Sequence, residues 1–263
     1  MSDAYIVRRG GGGSSRALPE FTYTGNYEII DDGDKNWRIK FYSSGVLTFT
    51  NLGNANNGID VFLVGAGGGS PSPCRGGGGG GYTLTAQNVS IQKNVEYTIT
   101  IGAGTVGKAG GKTTAFGKTA NGGKPGNSLD GGNGGSGGGS YGTNAAGGSN
   151  GGDGKGGRTN GIGQIALPGP NGETGNTREF GESTGTLYAG GGSGARFNGS
   201  SYDYVTGPGG SGGGGSSASG GNANSGNPGA GKNGTDNLGG GGGAMATKGG
   251  SGIVVIRNAR IVL

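Results

Sequence analysis

Glycine recurs in clusters throughout residues 102–252, and no other feature limits so strongly what this chain can fold into. Further clusters precede this stretch at residues 65–69 and 76–81. Each glycine loses more backbone entropy on ordering than any other residue and contributes no side chain to a core. The stretch is therefore either a solvated linker or a structure in which backbones pack directly against one another.

Direct backbone packing requires a defined geometry. A chain with about three residues per turn, as in polyproline II, makes no internal hydrogen bonds, so its N–H and C=O groups point outward and need partners. Where glycine removes the obstructing side chains, several such chains can lie side by side and bond to one another, an arrangement called polyglycine II. Collagen has the same steric need for glycine, but the 76 glycines among 263 residues follow no sustained repeat of three and there are only 8 prolines. Collagen is therefore excluded.

The choice between a linker and an ordered bundle depends on the neighbouring sequence. Tracts of Gly, Ser and Asn are usually solvated coil, and composition alone favours disorder. Single apolar or aromatic residues interrupt the clusters, however, and strand-like sequence flanks them on both sides. Because the last strand, at residues 253–256, has to return to the same sheet, a compact insertion with adjacent ends fits best. We therefore predict an ordered polyglycine-II bundle.

Period-two alternation predicts strands on either side of the glycine-rich stretch. Trp37, Ile39 and Phe41 alternate with Arg38 and Lys40, which is typical of a half-buried strand. Further strands are predicted at residues 46–50, 59–64, 82–85, 89–91, 96–101 and 253–256, before a last apolar trio at 261–263. Short strands separated by turns indicate a mainly β fold, a β-sandwich or jelly roll with almost no α-helix.

These patterns predict one glycine-rich domain over residues 25–263. Its sandwich comprises strands within residues 27–101 and 252–263, its polyglycine-II insertion covers about 102–251, and a smaller glycine-rich excursion covers 65–81. Residues 1–24 are predicted to form a separate arm, which is either a frayed terminus or a segment that adds as a strand to a larger assembly.

Composition limits the chemistry and the partners. The net charge is +5, but the basic residues are scattered, so we expect no nucleic-acid partner. The chain has no histidine and one cysteine, Cys74, which excludes histidine-based catalysis and cysteine clusters; we expect no metal and no other cofactor. No apolar run approaches the ~20 residues that span a bilayer, and the N-terminus lacks the order of a secretory signal. We expect a soluble chain without membrane insertion, exported independently of Sec or released by lysis.

Five stretches together resemble a glycine-rich domain family found in tail and adhesin proteins of bacteriophages and prophages. They are LVGAGGG at 63–69, GGGGGGYTLT at 76–85, YTITIGAG at 97–104, FGESTGTLYAGGG at 180–192 and GGSGIVVIR at 249–257. The order of strands and glycine runs is also similar in plan to the glycine-rich region of the anaplastic lymphoma and leukocyte receptor tyrosine kinases. The resemblance implies a jelly-roll-like β part that carries an inserted polyglycine bundle, and a role in host attachment.

Candidate functional residues lie where glycine gives way to other side chains. Residues 226–232 have the spacing of a phosphate-binding loop, but Asn233 stands where Ser or Thr would bind magnesium, so the match is accidental. Two acidic groups, Asp31/Asp32/Asp34 and Glu173/Glu179/Glu182, are the candidates for glycoside hydrolysis, although turn acids are usually only solvated.

Turns at the ends of a bundle tolerate varied sequence and can bind partners. Tyr, Ser, Gly and Asn with one Arg, the composition of antibody contact loops, occur together at residues 196–205. The same aromatic residues could instead cover exposed backbone at the bundle edge. The predicted receptor-binding residues are Arg196, Phe197, Asn198, Tyr202, Asp203, Tyr204, Tyr141 and Asn144.

Three functions remain open at this point. The first is a tail-fibre adhesin, located on the virion tail or outside the cell, that binds a bacterial outer-membrane protein or glycan through loops on a rigid scaffold. Its arm would attach to other fibre or virion proteins, with one copy or a homotrimer per particle. The second is a purely structural spacer without a receptor. The third is a polysaccharide-active enzyme, which needs two carboxyl groups in a cleft; we expect no enzymatic activity.

Overall fold

A computed structural model of the chain describes residues 18–55, 58–71, 76–140, 178–197, 204–205, 208–217 and 231–260. Within these ranges helical structure is limited to short 3₁₀ turns, such as the one at Glu179–Gly181, so the prediction of a mainly β fold with almost no α-helix is confirmed. The strands, in chain order, are β1 (Glu20–Tyr23), β2 (Tyr27–Gly33), β3 (Asn36–Phe41), β4 (Gly45–Asn51), β5 (Ile59–Val64), β6 (Thr83–Val89), β7 (Glu96–Ile99), β8 (Thr113–Ala115), β9 (Lys118–Ala120), β10 (Arg196–Phe197), β11 (Tyr204–Val205) and β12 (Ile253–Asn258).

Two antiparallel sheets enclose the main core. One has three strands in the order β1-β4-β7, and the other has five in the order β2-β3-β12-β5-β6. The alternation in β3 buries Trp37, Ile39 and Phe41 on the inner face, as the sequence predicts. Both sheets contribute to one apolar cluster, which includes Leu47, Phe49, Ile99, Ile59, Val61, Leu63, Val254 and Ile256.

The five-stranded sheet is covered on its outer face as well. Every residue of β5 and β12 is buried, which is why both are mostly apolar without alternation, apart from Asp60, Arg257 and Asn258. Their outward side chains, including Phe62 and Val255, pack against Phe180 and Tyr188. The glycine-rich insertion therefore returns across the sheet and shields it from solvent.

The glycine segments bond to one another with a period of three residues. Along residues 65–70, the amides of Gly65 and Gly68 donate to the carbonyls of Tyr82 and Gly79, at 2.9 and 2.8 Å. In the same segment, Ala66 and Gly69 donate to residues 111 and 108, while Gly67 and Ser70 donate to residues 250 and 247. Residues i and i+3 thus face the same neighbour, as a three-residue turn without internal bonds requires. This is the polyglycine-II arrangement.

Segment 77–82 lies in the middle of the bundle. Its amides donate with the same period to three neighbouring segments, and its carbonyls accept from three more. The six contacts are made with residues 136–139, 239–242, 121–124, 132–135, 192 and 65–68. A Cβ added at Gly80 would lie 2.0 Å from the carbonyl oxygen of Ala189, so only glycine allows this approach. The stretch treated in the sequence as a small excursion is therefore the centre of the bundle.

Several predicted boundaries differ from the structure. Strand β1 lies inside the stretch assigned to the arm and pairs with β4, so the folded part begins at or before Leu18, not at residue 25. The strands predicted at 82–85 and 89–91 form one strand, β6, whereas Ile91 is buried outside any strand. A hairpin of β8 and β9 occupies part of the predicted polyglycine insertion. The trio at 261–263 lies outside the described residues.

Candidate functional site

The outer face of the five-stranded sheet carries a network of ion pairs beneath residues 179–188. Arg38 contacts Asp32 at 2.8 Å and Glu182 at 3.0 Å, and it also pairs with Glu179. Lys40 lies 2.6 Å from Glu179, whose carboxylate also accepts a hydrogen bond from Tyr188. The predicted polar face of β3 is thus covered rather than solvated, and its two cations hold the covering segment.

Strand β12 extends this network. Arg257 contacts Asp60 and Glu182, each at 3.0 Å, and its guanidinium lies 4.1 Å from the centre of the Phe180 ring. Arg260 pairs with Asp32. A partly dehydrated cation over an aromatic face adds a further attraction. Because each carboxylate has at least one cationic partner, burial of the charges is compensated.

The pKa values reflect these contacts. Burial alone would raise the pKa of Glu179, but hydrogen bonds from Lys40, Tyr188 and Arg38 outweigh it and the pKa is lowered. Burial alone would lower the pKa of Arg38, whereas its hydrogen bonds to Glu182, Glu179 and Asp32 raise it overall. Burial and the adjacent Glu179 charge both raise the pKa of Tyr188. Both shifts favour the charged forms of Glu179 and Arg38, which are the forms that pair.

This network matches a structural clamp better than a hydrolytic site. A glycosidase general acid needs a raised pKa, whereas that of Glu179 is lowered by its cationic partners. In the other predicted acidic group, Asp32 is paired with Arg38 and Arg260, and Asp31 and Asp34 are exposed. Glu173 lies outside the described residues.

The bundle has one end at the sheet and one end remote from it, which we call the distal end. Gly65 follows β5 directly, Tyr82 precedes β6 and Gly252 precedes β12, so these positions mark the sheet end. Ser70, which pairs with Thr247, lies five residues beyond Gly65, or about 15 Å at the rise of such a chain.

Several described residues that adjoin undescribed stretches lie at the distal end, although Arg178, which follows 141–177, adjoins Glu179 over the sheet. Gly139, next to Ser140, accepts from the amide of Gly77 and donates to Gly192. Ser193 accepts from the amide of Ala244, and its hydroxyl accepts from the amide of Ser217 at 2.5 Å. Ala195, Ala244 and Met245 then form a small buried cluster, and the amide of Gly231 donates to Met245. The bonding pattern therefore brings together residues that adjoin 141–177, 196–205 and 218–230.

Two exposed apolar side chains belong to turns at the same end. Val106 is 53% exposed and pairs with Lys248 near Thr247, and Leu129 is 45% exposed in the turn after Gly126, whose amide donates to Gly69. Sequence reasoning missed Val106 as a surface residue and treated Leu129 only as an interruption between glycines. Only the register of the surrounding segments reveals that both lie at the distal end.

The structure describes part of the predicted receptor-binding set. Arg196 and Phe197 form β10 and Tyr204 lies in β11, with Arg196 opposite Val205 and Phe197 opposite Tyr204. This pairing joins the two ends of the stretch 196–205, whose role as a receptor-binding loop stays a prediction. The remaining predicted residues, Asn198, Tyr202, Asp203, Tyr141 and Asn144, lie outside the described residues.

The part of the chain that the structure describes has neither a metal-binding cluster nor a membrane-spanning helix. No group of three or more metal-binding side chains comes together there. None of the helical structure in those residues is long and apolar enough to cross a membrane.

A sequence model described as a glycine-rich domain matches residues 43–259, which is well over half of the chain. The chain belongs to this glycine-rich domain family. The match covers β4 to β12 together with the whole bundle, whereas β1, β2 and β3 precede it. No curated protein matches the chain.

Proposed function

We propose that this glycine-rich domain is an adhesin associated with the tail fibre of a phage or prophage, and that it binds a bacterial surface receptor. In this proposal the loops that join the segments at the distal end make the contact, with residues 196–205 at its centre. The receptor is an outer-membrane protein or glycan, and the protein acts on the virion tail or outside the cell.

The observation that supports this proposal is the position of the distal turns. Described residues that adjoin the stretches 141–177, 196–205 and 218–230 meet at one end of a bundle whose segments are fixed by backbone hydrogen bonds. Loops held on such a rigid frame lose less conformational entropy on binding than loops on a mobile one. The other end is continuous with β5, β6 and β12, so of the two ends only the distal one is free for a partner.

Attachment to the particle is a separate part of the proposal. Residues 1–17, which precede the described part of the chain, would join the domain to other fibre or virion proteins by adding a strand to them. The domain would be present as one copy or as a homotrimer.

A structural spacer is the second candidate function. It is favoured by the same backbone network, because a bundle without protruding side chains in its interior is stiff along its axis. The spacer differs from the adhesin in requiring no recognition at the distal end.

The test is binding of the labelled protein to a panel of bacterial cells. The tip variant carries Phe197→Ser, Tyr202→Ser and Tyr204→Ser, and a matched control carries Ile29→Ser and Val95→Ser, which are exposed apolar residues of the sandwich. We expect the wild type and the control to bind selected strains equally and the tip variant to bind at least tenfold more weakly, as loss of aromatic contact residues does. Urea unfolding of all three proteins checks that they are folded.

The outcomes separate the two functions. Binding that survives in the tip variant assigns recognition to a part of the protein other than residues 196–205. Absence of binding across a wide strain panel contradicts the adhesin proposal and leaves the spacer.

A further inference from the structure

We propose that one lateral edge of the bundle, residues 108–124, is a binding surface for an anionic polysaccharide that carries carboxylate or phosphate groups. We call it the lysine edge, because Lys108, Lys112, Lys118 and Lys124 lie on it. This inference rests on the proposed attachment function. It specifies the chemistry of the receptor, or of the polymer that surrounds the receptor.

The four lysines lie along one pair of antiparallel segments, which is formed by residues 108–115 and 118–124. In the hairpin of β8 and β9, Thr113 faces Ala120, and further out the amide of Gly110 donates to Gly123. The same register therefore continues from the sheet end into the bundle. It places Lys112 level with Asn121 and Lys108 beside Lys124.

The result is a row of positive charges. Lys118 pairs with Ala115, which is seven residues from Lys108. The row of lysines is therefore about 20 Å long. All four lysines are exposed, and none forms a salt bridge with an acid among the described residues. The charges stand at three levels about 10 Å apart, Lys118, Lys112, and Lys108 with Lys124, a spacing comparable to the Debye length at 0.1 M salt, so they create one continuous potential.

The surrounding sequence strengthens this potential. Between Glu96 and Asp130 the chain contains no acidic residue, whereas residues 20–34 contain five acids, Glu20, Glu28, Asp31, Asp32 and Asp34, and no basic residue. Most of these acids lie in β2, at the edge of the five-stranded sheet opposite to β6, and β9 lies against β6. Asp32 is paired with Arg38 and Arg260, but the other four acids form no ion pair among the described residues, so the two sides of the molecule differ in charge and a negative surface would turn the lysine edge toward itself.

The chemistry of the edge favours a polysaccharide over a nucleic acid. No arginine lies between Glu96 and Asp130, and the single aromatic residue between Tyr97 and Asp130, Phe116, packs against Tyr97 at 5.1 Å between ring centres. Nucleic-acid surfaces typically use arginine forks and free aromatic faces. Thr119 and Asn121 are exposed on the edge and offer hydroxyl and amide groups suited to sugar hydroxyls.

The experiment measures binding of the full chain to defined polymers at 50 mM salt. The probes are polygalacturonate for carboxylate, phosphomannan for phosphate, neutral dextran, and duplex DNA as an unrelated polyanion. The edge variant is K108Q/K112Q/K124Q, and the charge-matched control is K35Q/K93Q/K232Q, which removes three exposed lysines elsewhere.

We expect the wild type and the control to bind at least one acidic polysaccharide within twofold of each other, and the edge variant to bind about tenfold more weakly. Binding should fall steeply at 500 mM salt, because the contact is electrostatic. Dextran should not bind.

Equal affinity of the edge variant and the control would overturn the inference, as would lysine-dependent binding to DNA without binding to either acidic polysaccharide. The same proteins are applied to the bacterial panel. Polysaccharide binding without cell binding would reject the attachment function but keep the lysine edge, whereas cell binding without polysaccharide binding would reject the lysine edge alone.

Discussion

At the scale of single residues, the structure divides glycines into two kinds. Those inside the bundle are required because another backbone lies where a side chain would be, as at Gly80 beside Ala189. Others are required for their backbone conformation, such as Gly117, which has a φ of +70° and open space where a Cβ would lie. The two kinds look identical in the sequence, but they predict different costs of substitution.

Gly80→Ala should therefore be far more damaging than Gly117→Ala. A methyl group 2.0 Å from a carbonyl oxygen forces two hydrogen-bonded segments apart, and we expect a loss of at least about 3 kcal/mol of unfolding free energy. Gly117→Ala should cost only about 1 kcal/mol, the strain of a left-handed alanine. Urea unfolding of both variants measures the difference. Similar losses at the two positions would contradict direct backbone packing at Gly80.

Glu179 provides a second prediction at this scale. Its folded pKa is lowered, so its stabilising contribution is present above the unfolded pKa of about 4.3 and is lost as the pH falls through the folded value. Glu179→Gln should lower the unfolding free energy by roughly 3 kcal/mol at pH 7, because it leaves Lys40 and Arg38 underpaired. Below pH 4 the difference between the two proteins should shrink.

The matched control is Asp236→Asn, which removes the partner of Lys248 in an exposed pair. Such a pair contributes less than about 1 kcal/mol, so the control should follow the wild type at every pH. The prediction fails if the gap between Glu179→Gln and the wild type stays constant between pH 7 and pH 3.

At the scale of secondary-structure elements, the local sequence pattern was sufficient to identify a strand that alternates polar and apolar residues or that is buried on both faces. The alternation in β3 and the apolar runs of β5 and β12 identify these strands correctly. Strands β1, β8 and β9 have three or four residues each and are stabilised by partners rather than by propensity, so the sequence does not reveal them.

The same limit applies to the clamp and to the centre of the bundle. Arg38 and Glu179 are 141 residues apart, and nothing near either one indicates the other. Segment 77–82 resembles any other glycine run until its neighbours on all sides are known. The sequence could predict that backbones pack together, because glycine leaves few alternatives, but not which backbones meet.

At the scale of the whole molecule, the sheet and the bundle are continuous. Strands β5, β6 and β12 are directly continuous with bundle segments that bond to one another. At the sheet end, these segments therefore cannot separate from one another without breaking the sheet. This predicts a single cooperative unit rather than a stable sandwich with an independently unfolding insertion.

Hydrogen exchange tests this prediction. Amides of residues 77–82 should be protected to nearly the same degree as those of β5, because both exchange only when the whole domain opens. Edge strand β1 provides an internal reference for local fraying. Exchange of the bundle amides much faster than those of β5 would show that the insertion opens on its own.

The three-residue bonding period gives each bundle segment a fixed register with its neighbours, comparable to the reading frame of a coding sequence. Because residues i and i+3 face the same neighbour, loss of one residue turns everything beyond it by a third of a revolution, and each following amide then points at the wrong partner. Loss of three residues restores the directions and only shortens the segment. Insertions and deletions among related proteins should therefore be of any length in the distal loops but of multiples of three residues within the bundle. The loops can then diversify while the bundle segments keep their hydrogen-bonding register.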